Sequence, residues 1–129
     1  MNVLDENLAA QQCAKLRAWR IPFRQIGPHL SAPGTLDENL IPLLHRLPQP
    51  TFFTHDKDFF RAPICHSHYS VVYLDVSDAA AAEFIRRFLR HPVFDTTAKR
   101  LGVVARVQAS GVQFWKKGRL GLQSAQWNE

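Results

Sequence analysis

Cysteine is scarce in this chain: Cys13 and Cys65 are the only two among 129 residues. That is too few for the disulfide framework of small secreted domains, and a reducing compartment is the simpler reading. No stretch approaches the ~18 consecutive apolar residues that a membrane span needs. The N-terminus also lacks the basic-then-apolar order of a secretory signal. These absences point to a soluble, cytoplasmic protein with no membrane partner. Acid is the minority charge, 11 Asp and Glu against 16 Lys and Arg, so the net charge is +5. A basic balance favours an anionic partner such as nucleic acid and says nothing about fold. The bases gather at 17–24, 86–90 and 116–119. Cys65 stands beside His66 and His68, but soft-metal sites bring four ligands at recurrent spacing and no second pair exists here, so an ordinary polar loop is expected.

No linker interrupts the chain, and its length and apolar content suit one core. Residues 1–4 read as a short first strand. Ala9, Cys13, Leu16 and Trp19 then recur at helical spacing, predicting a helix from about Glu6 to Arg20 that Pro22 forbids from continuing. Residues 21–26 suit a second strand. Thr35 and Glu38 fit a capping box ahead of Leu40, Leu43, Leu44 and Leu47, with Pro42 either bending that helix or marking its regular start. Residues 51–54 form a β-branched and aromatic strand, 59–67 a loop, and 70–76 a strand apolar enough to be covered on both faces. Ser77 and Asp78 can cap a helix whose core stripe is Ala81, Phe84, Ile85, Phe88 and Leu89, ended by His91 and Pro92. Residues 103–107 and 112–115 read as a hairpin. The polar tail from Lys116 is expected to be poorly ordered. The alternation predicts an α/β fold, a mostly parallel sheet with helices on its faces and a C-terminal hairpin.

Acids collect at the ends of these elements. Asp5 and Glu6 follow the first strand, Asp37 and Glu38 stand at a helix start, and Asp56 and Asp58 follow the strand 51–54. In open α/β sheets that C-terminal edge is where ligands bind. Hard cations such as Mg²⁺ and Mn²⁺ take carboxylate oxygens and keep waters, so a few such acids suffice for a site. The plainer account makes every one of them a cap or turn residue. The pentapeptide Leu-Asp-Glu-Asn-Leu occurs twice, at 4–8 and at 36–40, and capping together with the helix macrodipole explains both copies.

Three motifs in order carry a resemblance. The opening Met-Asn-Val-Leu-Asp-Glu-Asn-Leu at 1–8, the acidic helix start at 35–41, and Thr-His-Asp-Lys-Asp-Phe at 54–59 are together similar to the PIN-like group of small bacterial proteins. The resemblance covers residues 1–89 and leaves the part from Phe94 unmatched. It implies a three-layer α/β/α PIN-like domain and metal-dependent ribonuclease ancestry, often as the toxin of a toxin–antitoxin pair. By matching position, Asp5, Glu38 or Asp37, Asp56 and Asp58 are the implied catalytic and Mg²⁺- or Mn²⁺-binding acids. Thr54 is an implied aid to a carboxylate or water, and Lys57 and Arg61 are implied contacts for RNA phosphate. Pro42 and the Pro-rich stretch 29–34 depart from the group.

Two expectations follow. One is an endoribonuclease acting on RNA with a carboxylate-bound metal, partnered by an antitoxin protein. The other keeps the fold without the chemistry, as a module that binds a protein or forms a homodimer.

Overall fold

A computed structural model of the chain describes residues 1–26 and 37–127, with residues 37 and 38 described by their backbone alone. Its strands are β1 (Asn2–Leu4), β2 (Arg24–Gln25), β3 (Thr51–Thr54), β4 (Ser70–Leu74), β5 (Val103–Gln108), β6 (Gly111–Lys116) and β7 (Gln123–Ala125). Its helices are α1 (Ala10–Ala18), α2 (Asp37–Arg46), α3 (Ala81–Arg90) and the single turn α4 (Thr97–Arg100). The strands form one sheet in the order β2-β1-β3-β4-β5-β6-β7. The first five are parallel and the last two join antiparallel. An α/β architecture with a mostly parallel sheet and a C-terminal hairpin is therefore present.

The side-chain alternation of each strand decides what covers each face. Leu4, Phe53, Val72 and Ala105 lie side by side and pack with Cys13 and Leu16 of α1 and Phe84, Ile85 and Phe88 of α3. Val3, Phe52, Val71 and Val104 form the matching row on the other face, against Leu40, Leu43 and Leu44 of α2. β3 is buried along its whole length, which explains its unbroken β-branched and aromatic composition. Buried Arg100 ties α4 to the sheet, its Nε donating to Thr51 Oγ1 at 3.0 Å and its Nη1 to the Phe94 carbonyl at 2.8 Å.

Several boundaries differ from the sequence expectation. α1 begins at Ala10 because residues 6–8 form a turn, closed by the Leu8 amide on the Asp5 carbonyl at 3.1 Å. The strand expected over 21–26 shrinks to Arg24–Gln25, since Ile21 still bonds back to the Leu16 carbonyl. α2 runs through Pro42; lacking an N–H, the proline leaves the carbonyl of residue 38 without its helical donor. The proposed Thr35 cap lies outside the described residues. Ser77 precedes a 3-10 turn (Asp78–Ala80) and makes no capping bond. The loop expected at 59–67 contains the 3-10 turn Ala62–Ile64. The tail expected to be poorly ordered supplies β7, and the Trp127 indole donates to the Gln108 carbonyl at 2.8 Å. Among the described residues no helix is long and apolar enough to cross a membrane.

Candidate functional site

β1 lies between β2 and β3, so the chain's path across the sheet reverses there. Such a reversal opens a crevice beyond the C-terminal strand ends, because the connections leave in opposite directions. Asp5 follows β1 directly and Asp56 follows β3 by one residue. The parallel register Leu4 to Phe53 brings both loops to the same edge.

Short hydrogen bonds fix the two acids relative to one another. The Thr54 hydroxyl donates to Asp5 Oδ2 at 2.6 Å and accepts from the Asp56 amide at 3.0 Å. The Asn7 amide donates to Asp5 Oδ1 at 3.1 Å, and the Asp58 amide donates to Asp56 Oδ1 at 2.9 Å. Asp56 is thus the N-cap of the 3-10 turn Lys57–Phe59, as the plainer account holds. Capping occupies one of its oxygens and leaves Oδ2 as an open acceptor. His55 Nδ1 lies 3.0 Å from the Leu74 carbonyl, which can only accept, so that nitrogen carries the proton.

Around these acids is a cavity of about 330 Å³ lined by Asp5, Glu6, Asn7, Ile26, Leu40, Phe52, His55, Asp56 and Phe59. Among the described residues its wall contains carboxylates but no lysine or arginine, in a chain of net charge +5. Asp37 and Glu38 stand in the first turn of α2, within three residues of the lining Leu40. Asp58, Lys57 and Arg61 are exposed and do not line the cavity. The structure therefore gathers Asp5, Thr54 and Asp56 and leaves Asp58 on the outside of the turn. Among the described residues no group of three His, Cys, Asp or Glu side chains is placed to hold a metal ion. Carboxylate oxygens at the rim of such a crevice suit a hard cation that keeps most of its waters, which needs one or two protein ligands.

Glu6, Asn7 and His55 line the cavity although only Glu6 drew notice in the sequence, as a neighbour of Asp5. Their signal was position, since each directly flanks a strand-end acid. The histidines near Cys65 lie elsewhere: His66 and His68 precede β4, His66 meeting His45 at the end of α2 edge-on with centroids 4.4 Å apart and His68 stacking on it at 5.9 Å. Comparison with known protein families, with characterised proteins and with solved structures gives no match.

Proposed function

We propose that the chain is a PIN-like three-layer α/β/α domain acting as a metal-dependent endoribonuclease, with the toxin of a toxin–antitoxin pair as its biological setting. The observation that carries this reading is the acidic cavity at the sheet's reversal point, walled by Asp5, Glu6 and Asp56, with no lysine or arginine among its described lining residues. Asp5 and Asp56 would hold Mg²⁺ or Mn²⁺, with Asp37 and Glu38 of α2 as the further acids the resemblance implies. When bound, such a cation lowers the pKa of a water and offsets charge on phosphoryl oxygens. The protein's own part is orientation. Thr54 sets the Asp5 carboxylate, and the Asp58 amide sets that of Asp56, so both acids are ordered before any ligand arrives. Lys57 and Arg61, exposed just beyond Asp56, would meet RNA phosphates outside the cavity.

Thermal melting tests the reading. Wild type is expected to melt higher in millimolar Mg²⁺ or Mn²⁺ than in EDTA, because a ligand that binds only the folded state stabilises it. Asp56→Asn should lose that rise, and single-stranded RNA should be cleaved by wild type alone. A metal-insensitive melt in wild type would sink the proposal. It would favour the second reading, a non-catalytic module that binds a protein or pairs with itself. Leu120, which is 98% exposed, and Leu122, 47% exposed, support that alternative as apolar groups open to a partner.

A further inference from the structure

α1 and α3 lie on the Phe53 face of the sheet, whereas the acidic cavity is walled by Phe52 and by Leu40 of α2 from the other face. The outer surface of this helix pair concentrates arginine against aromatic rings. The Arg86 guanidinium sits 3.8 Å from the centroid of Trp19. Arg17 lies 5.1 Å from Phe23, and Arg87 lies 5.0 Å from Phe84 and 5.1 Å from Trp127. Arg20 and Arg90 are exposed at the ends of the same two helices.

A cavity of about 270 Å³ opens here, walled by Glu83, Arg86, Arg87, Arg90, His91, Pro92 and Trp127. Among the described residues of that wall Glu83 is the carboxylate, and it pairs with Arg86 at 3.5 Å. His91 adds no charge. Its Nδ1 accepts from the Val93 amide at 3.1 Å, so the ring is neutral and its Nε2 donates to the Gln126 carbonyl. The macrodipole favours Arg87 and Arg90 at the end of α3. It gives no reason for Arg86 and Arg90 to repel one another at i,i+4, nor for guanidinium groups set over indole rings.

We infer that this arginine–aromatic surface of α1 and α3 is a docking site for a single nucleic-acid strand, separate from the acidic cavity. Guanidinium edges recognise phosphate with paired N–H donors, and stacking on a ring holds them in place before binding. Bases stack on aromatic and guanidinium planes alike, which an acidic peptide cannot exploit. Because the surface faces away from Asp5 and Asp56, the inference does not depend on hydrolysis.

Fluorescence anisotropy of a labelled single-stranded RNA of about 20 nucleotides, from about 50 to about 200 mM salt, tests it. Wild-type affinity should fall steeply with salt. Arg86→Glu/Arg90→Glu should weaken binding by roughly tenfold or more and lower the salt slope by about 1.4, the loss of two phosphate contacts at about 0.7 each. Arg90→Gln, at an exposed position that leaves the Trp19 stack intact, should weaken binding in the same direction and guards against a folding defect in the double variant. Asp56→Asn should bind RNA as wild type does, and both arginine variants should keep any metal-dependent rise in melting. Those two results separate this surface from the acid site. Undiminished RNA binding in both arginine variants overturns the inference, as does failure of wild type to bind. Tighter binding of an oligoglutamate peptide than of RNA also overturns it, and makes the surface one for an acidic protein.

Discussion

The Thr54 hydroxyl donates to the Asp5 carboxylate and accepts from the Asp56 amide, so replacing it by a methyl removes both bonds at a fully buried position. Thr54→Val is expected to cost ~1.5–3 kcal/mol in urea unfolding, the range for a hydrogen bond to a charged group, while Thr54→Ser retains most of it. Asp75 offers a test in pH. Hydrogen bonds from Arg106, at 2.9 and 2.7 Å, hold its carboxyl below the usual carboxylate range, with Gln108 and Tyr73 adding to the effect. A lowered folded-state pKa gives stability that is complete above the unfolded value of about 3.9 and fades as pH falls through the folded one. The melting difference between wild type and Asp75→Asn should therefore be largest near neutrality and shrink on acidification below pH ~4. Asp75 and Arg106 went unremarked in the sequence because they meet only through the register of β4 and β5. Asp5 and Asp56 were visible as strand-end acids, but the threonine bridge between them needed the fold.

Elements with a strong local signal were legible before the fold was known. β3, β4 and the β5–β6 hairpin announce themselves by β-branched and aromatic runs, and α3 by its apolar stripe. The repeated pentapeptide shows where local signal fails. Its first copy ends β1 and enters a turn, whereas residues 37–40 of its second copy lie in α2. Neighbouring strands and helices decide between the two, because propensity is a weak prior. β7 was missed because Gln123, Ser124 and Ala125 carry little strand signal. Its pairing depends instead on Gly111 of β6. Gly111 has φ +150°, and a Cβ there would lie 2.8 Å from the Ala125 carbonyl oxygen. Gly111→Ala is expected to destabilise the protein by about 1–3 kcal/mol. Hydrogen exchange should show β7 losing protection first while β4 and β5 keep theirs.

At the scale of the whole molecule, charge is divided between the faces of one sheet. Carboxylates wall a cavity at the reversal of strand order, with no lysine or arginine among its described lining residues, and arginines set over aromatic rings lie on the helices of the opposite face. Phe53 belongs to the core beneath the arginine surface, so Phe53→Ala should cost about 3–5 kcal/mol in thermal or denaturant unfolding. Its neighbour Phe52 walls the acid cavity. The strand order also bears on how the chain is made. β1 is synthesised before its neighbours in the finished sheet, β2 and β3, and β3 must in turn await β4. A nascent chain that has passed residue 60 already holds every acid assigned to the cavity, yet it lacks Val71 and Val72, which lie beside Phe52 and Phe53 in the sheet. Synthesis thus separates possession of the acids from their alignment. The sheet that flanks the acids on the β4 side is completed only by residues made after the acids themselves.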